Sequence, residues 1–174
     1  MSGTGGDWAM RQPPVKQPGG HPVYGQAARL MRQLNELDRA ASAQEWWMLA
    51  RAVPEARSLA EVSSLLAVAS AELDQFLVRF FGDPATRSPA AEGAGAPATA
   101  PLTDEPDQVA VQRASAARLS QTLESVLPPT TTFAHALAQL AQRTSMTPDA
   151  VDALGIVAER LDEAQEALRA PAEG

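Results

Sequence analysis

The stretch Ser58–Phe81, SLAEVSSLLAVASAELDQFLVRFF, predicts a long amphipathic helix around which the rest of the chain is organised. It has no proline or glycine, and its apolar residues recur at steps of three and four, which places them on one side of a helix. Ser58 and Glu61 form a capping box at its start, and Gly82 follows its end. Because water cannot cover so long an apolar side, the neighbouring segments are expected to be helices. The apolar positions are Val62, Leu65, Leu66, Ala69, Leu73, Phe76, Leu77 and Phe80.

The composition restricts the classes of function. The 174 residues are 45% hydrophobic and 20% charged, which is typical of a globular protein. Aromatic residues make up only 5% and alanine is abundant, which favours closely packed helices over strands. The formal charge of -7 argues against binding to nucleic acid or to an anionic membrane. The absence of cysteine excludes disulfides, thiolate nucleophiles and cysteine-ligated zinc.

The first half predicts a disordered arm followed by an N-terminal three-helix unit. Residues 1–22 combine glycine pairs and prolines without periodicity, so they are expected to be disordered. The unit covers 23–81. Its first helix runs from about 24 to 41, its second begins at the capping box of Ser42 and Glu45 and ends near Val53, and its third is Ser58–Phe81.

The second half predicts a linker, a C-terminal three-helix unit and a short tail. Residues 82–106 are rich in proline, alanine and glycine and are expected to be a flexible linker. The unit covers 107–170, and 171–174 form the tail. Its helices are predicted over 108–127, ended by Pro128 and Pro129, over 133–143, capped by Thr132, and from Thr147 onward.

The fold class predicted from these segments is all-α, with two small antiparallel three-helix bundles joined by a disordered linker. The N-terminus has no apolar signal region, and no apolar run approaches the length of a membrane span. A cytoplasmic protein without membrane contact is therefore expected.

No group of residues predicts catalysis. His21 lies in the predicted arm, and His135 has no acidic residue three or four positions away on its helix. Glu-x-x-His pairs that would hold two metals in a bundle are absent, and Gly93 and Gly95 follow no strand and begin no helix. We therefore predict no catalytic residue, no metal site and no cofactor, and we do not expect an enzyme.

The segment 137–154, LAQLAQRTSMTPDAVDAL, resembles a helix-turn-helix. Ala141 is the small residue of the first helix, and Leu140, Met146, Val151 and Leu154 occupy the usual apolar positions. The segment has Ser145 where glycine commonly makes the turn, and it exposes aspartates on the helix that would read bases. The resemblance implies a DNA-binding regulator, which is the alternative to a protein-binding function.

Acidic residues of the last helix recur at steps of three and four. This spacing places them on one side, with Ile156 among them. Such a side is either screened by water or met by a basic partner. The residues are Asp149, Asp152, Glu159, Glu163 and Glu166.

Two adjacent tryptophans mark the predicted second helix. Because neighbouring residues on a helix point about 100° apart, Trp46 and Trp47 cannot both be central in the buried side. Trp47 with Met48 is a candidate contact patch, and the alternative is that Trp47 packs against another part of the chain. The function predicted overall is a non-catalytic adaptor or regulatory protein that binds another protein or itself.

Overall fold

The computed structural model describes residues 20–42, 53, 55–82 and 106–170. Within these residues the chain forms four helices: α1 (Pro22–Ser42), α2 (Glu55–Phe81), α3 (Pro106–Arg143) and α4 (Pro148–Arg169). The described residues contain no strand. The prediction of an all-α protein is confirmed.

Several predicted segments lie outside the described residues. They are most of the arm, the body of the second helix over 43–52, most of the linker over 83–105, and the tail over 171–174. The predicted second helix of the N-terminal unit and the predicted flexible linker depend on these segments and stay predictions.

The first and third predicted helices are present, with one corrected boundary. α1 agrees with the predicted range, and α2 ends at Phe81 as expected, where Gly82 adopts a φ of 65° and donates its N–H to the Val78 carbonyl at 3.0 Å. The start of α2 is not the capping box at Ser58, because the helix already begins at Glu55. Ala56 in the additional turn is fully buried, so this turn adds apolar contacts.

The prediction that Pro128 and Pro129 end a helix is wrong. α3 continues through both prolines as one helix from Pro106 to Arg143, so the C-terminal part contains two helices where three were predicted. The prolines leave the carbonyls of Glu124 and Ser125 without their N–H donors four residues on, but both of these residues are exposed and water can bind them. Buried side chains on both sides of the prolines hold the helix against its neighbours, among them Leu123, Leu127, Ala134 and Leu137.

Threonine hydroxyls support α3 immediately after the prolines. Thr130, Thr131 and Thr132 each donate to the carbonyl four residues earlier, at 2.8, 2.9 and 2.9 Å. The expected N-cap role of Thr132 is therefore wrong, since its hydroxyl bonds to the Pro128 carbonyl inside a continuous helix. This arrangement also lets Thr130 and Thr131 be buried, at 4% exposure each.

A tight turn joins α3 to α4. The Met146 N–H donates to the Ala141 carbonyl at 3.1 Å and the Ser145 N–H to the Gln142 carbonyl at 3.2 Å, which is a Schellman arrangement. Ser145 has a φ of 58°, in the left-handed region that favours glycine. α4 begins at Pro148 as predicted, although Thr147 makes no side-chain capping bond.

Ser145→Gly is expected to raise the free energy of unfolding by about 1 kcal/mol, because glycine has no Cβ to strain a left-handed backbone. Denaturant titration followed by circular dichroism measures the change. Thr144→Gly is the control. Thr144 precedes the left-handed position and its hydroxyl bonds to the Leu140 carbonyl at 2.8 Å, so this variant should lose stability. A loss of stability in Ser145→Gly would contradict the expectation.

The four helices pack as a bundle in which neighbours are antiparallel. The rings of Tyr24 and Phe81 lie 5.2 Å apart, so α1 begins where α2 ends. Arg79 bonds to Asp149, which brings the end of α2 to the start of α4. Each of α1 and α4 packs along both α2 and α3, so α1 lies diagonally across from α4 and α2 across from α3.

All four helices contribute to one continuous apolar core. Its largest fully buried side chains come from α1 (Leu30, Leu34), α2 (Leu59, Leu66, Leu73, Phe76, Leu77), α3 (Leu123, Leu127, Leu137) and α4 (Leu154, Leu161). The predicted apolar side of α2 is therefore buried, with Leu65 and Phe80 half-buried at its edges. α1 and α2, which precede residues 83–105, pack against α3 and α4, which follow them. The sequence did not decide whether the two halves pack together.

Candidate protein-interaction surface

The inner side of α4 is built from small and branched residues. Ala150, Leu154, Val157, Ala158, Leu161 and Ala164 are buried. Val151 and Leu168 are half-buried and pack against the core. Because the buried positions span one side of the helix, the opposite side faces away from the bundle.

The acidic residues of α4 occupy this outer side. Asp149, Asp152, Glu159, Glu163 and Glu166 are all exposed, and Ile156 among them is 39% exposed. An exposed isoleucine is unusual here, since the other large apolar residues of α4 are buried or half-buried. We call these six residues the α4 outer strip.

Two carboxylates of the α4 outer strip already have a cation from this chain. Asp149 Oδ2 accepts from Arg79 Nη2 at 3.0 Å, and Glu163 Oε2 accepts from Arg160 Nη1. Among the described residues, no ion pair involves Asp152, Glu159 or Glu166. These three carboxylates follow one another at intervals of seven residues and so lie along one line of the helix. Their charge remains available to a partner.

The other proposed contact patch, Trp47 with Met48, lies outside the described residues.

A histidine and a carboxylate meet across the α3–α4 hairpin. His135 Nε2 lies 2.8 Å from Asp162 Oδ2, and both side chains are about half exposed. Sequence reasoning missed this pair, because it considered only neighbours within one helix and these residues are 27 positions apart. The pair links two helices at the surface of the bundle, and water screens its charge.

The segment that resembles a helix-turn-helix forms an antiparallel hairpin. Its two helices lie alongside each other far beyond the turn, as the contact between His135 and Asp162 shows. In DNA-binding helix-turn-helix units the second helix crosses the first at about 90–120°. The exposed charged residues at the start of α4 are Asp149 and Asp152.

A cleft of about 300 Å³ lies between α1 and α3, beside the second proline. It is lined by Arg29, Gln33, Val126, Pro129, Thr130 and Phe133. The Arg29 guanidinium lies 5.6 Å from the centre of the Phe133 ring, and the Gln33 Oε1 atom is buried without a hydrogen-bond partner. Arg29 is the one charged residue of this lining, so the cleft offers no acid and base pair.

The described residues hold no group of three or more histidine, cysteine, aspartate or glutamate side chains placed to bind a metal. Among the same residues, no helix combines the length and the apolar character that crossing a bilayer requires.

Comparison of the chain with family models, with curated proteins and with solved structures finds no match.

Proposed function

We propose that this protein is a non-catalytic adaptor or regulatory protein that binds a basic partner protein through the α4 outer strip. One observation carries the proposal: Ile156 is 39% exposed beside carboxylates without an ion pair among the described residues. An apolar anchor surrounded by charge is a common composition for a protein contact, because the anchor supplies burial and the charges supply orientation.

The chemistry of the partner follows from the spacing of the charges. Asp152, Glu159 and Glu166 are separated by seven residues each, which corresponds to about 10.5 Å along the helix axis. An amphipathic helix with lysine or arginine at the same interval could meet all three carboxylates, while an apolar side chain covers Ile156.

The alternative, a DNA-binding regulator using residues 137–154, has less support. The two helices of this segment are antiparallel neighbours, and the start of α4 presents Asp149 and Asp152. Contacts with phosphates and base edges need donors at this place, and carboxylates there repel the phosphate backbone.

Replacing Asp152 by Asn together with Glu159 and Glu166 by Gln is expected to weaken the complex about tenfold, because three attractive charges are lost. The wild-type chain and the triple variant are first immobilised, and partner proteins from the native lysate are bound to them at low and at high salt. The affinity of a retained partner for each chain is then measured by calorimetric titration. The salt dependence of binding should also become flatter.

The matched control is Asp149→Asn with Glu163→Gln. These carboxylates already face Arg79 and Arg160 of the same chain, so their neutralisation should change binding less. Ile156→Ser should weaken binding severalfold while helix content stays unchanged. The proposal is contradicted if the triple variant and the control variant lose the same amount of binding affinity. It is also contradicted if the chain binds duplex DNA in a salt-dependent manner.

A further inference from the structure

The outer side of α2 is exposed and carries no charge over most of its length. Between Glu61 and Arg79 its exposed residues are Ser64, Ala67, Val68, Ala71, Gln75 and Val78. Val68 and Val78 are each 41% exposed. Glu72 and Asp74 lie at the two edges and are half-buried. We call Glu61, Arg79 and the six residues between them the α2 outer face.

Burying the α2 outer face against a partner would cost little free energy of desolvation. Its central residues are small or uncharged, in a chain of which 20% is charged. Side chains as short as those of Ser64, Ala67 and Ala71 allow a second helix to approach to about 8 Å between axes. Two exposed valines supply apolar area that such an approach would remove from water.

The charges at the ends of the face are arranged for self-pairing. Glu61 and Arg79 are eighteen residues apart, which is about five complete helical turns or about 27 Å. They therefore lie at the same angular position at opposite ends of the face. If a second α2 lies antiparallel across a two-fold axis near Ser70, each Glu61 meets the Arg79 of the other copy. In this register Val68 lies within one residue of the level of Ala71 in the other copy, and Ser64 within one residue of the level of Gln75.

We propose that the α2 outer face binds a second copy of this chain, giving a two-fold symmetric dimer through antiparallel α2 helices. The inference deepens the proposed protein-binding function, but it concerns a different helix from the α4 outer strip. The charges favour a second copy as the partner, because the same face carries both Glu61 and Arg79, at equal distances from the two-fold axis. Two identical pairs then form at once.

The existing contact of Arg79 is compatible with the dimer. Its Nη2 atom donates to Asp149 of the same chain at 3.0 Å. A guanidinium has five N–H donors, so the remaining ones can bond to Glu61 of the other copy. No ion pair of Glu61 is present among the described residues. Because a single helix pair is a small interface, we expect dissociation in the micromolar range.

The test measures the mass of the full chain by sedimentation over a range from low micromolar to several hundred micromolar. The wild-type chain is expected to shift from monomer to dimer with rising concentration. Glu61→Arg and Arg79→Glu should each weaken the dimer at least tenfold, because each creates two like-charge pairs. A wild-type chain that stays monomeric over this range overturns the proposal.

Mixing the two variants is the decisive experiment. In the mixture, Arg at position 61 of one copy meets Glu at position 79 of the other, and native Arg79 meets native Glu61, so both pairs are attractive. The equimolar mixture should therefore dimerise although neither variant does so alone. Rescue also shows that both variants are folded, since unfolded chains could not restore a specific pair.

Ala71→Glu and Ala117→Glu complete the design. Both alanines are exposed on helices, but only Ala71 lies in the α2 outer face. Ala71→Glu should abolish the dimer, and Ala117→Glu should leave it unchanged. A dimer that persists in Ala71→Glu, or a mixture without rescue, overturns the proposal. The neutralised α4 variants should still dimerise, so failure of the α4 proposal and failure of this one are distinguishable.

Discussion

Leu73→Ala is expected to lower the free energy of unfolding by about 3 kcal/mol and to destabilise all four helices together. Leu73 is fully buried in α2, and α2 contributes to the core that α1, α3 and α4 share. The truncation removes apolar contacts and leaves a cavity that the surrounding helices fill only in part. Denaturant unfolding followed by circular dichroism gives the loss, and hydrogen exchange of α4 amides shows whether that helix opens with α2.

Val111→Ala is the control for this expectation. Val111 is 67% exposed, so its truncation should change stability by less than about 0.5 kcal/mol. If the α4 amides keep their full protection in Leu73→Ala, then α2 and α4 unfold as separate units. That outcome would contradict the common core and would favour the two-unit organisation expected from the sequence.

Pro129→Ala is expected to raise the free energy of unfolding by about 2 kcal/mol. Alanine restores the N–H that the Ser125 carbonyl lacks and removes a ring from the interior of α3. Pro129 is exposed, so no buried contact is lost in exchange. Thermal and denaturant unfolding measure the gain.

The matched control is Pro148→Ala. Pro148 is the first residue of α4, where a missing N–H has no helical acceptor to satisfy, so this change should be close to neutral or slightly destabilising. A destabilised Pro129→Ala variant would mean that the bundle requires the local geometry that the proline imposes.

The sequence was sufficient where one helix decides the outcome by itself. The apolar spacing of Ser58–Phe81 predicted which side of α2 is buried, and Gly82 marked its end. Thr147 and Pro148 likewise marked the start of α4. The spacing of the acidic residues also placed the α4 outer strip on one exposed side. These are local properties, because they depend on helical period and terminal chemistry alone.

The sequence was insufficient where distant residues decide the outcome. Two adjacent prolines normally end a helix, but burial of Leu127 and Leu137 on either side of them holds α3 together. The partners of His135 and Arg79 lie on other helices, at Asp162 and Asp149. The pairing of Asp149 in the α4 outer strip likewise depends on Arg79, which no spacing within α4 reveals.

The arrangement of the helices also has a consequence for folding kinetics. The α3–α4 hairpin joins residues that are close in the chain through one tight turn, so its contacts form at a low cost in loop entropy. The contact between Arg79 and Asp149 joins residues 70 positions apart. Docking of α2 onto α4 therefore closes a much longer loop. We therefore expect the α3–α4 hairpin to form first and the α2 contacts to form late, so substitutions in α2 should act mainly on the unfolding rate.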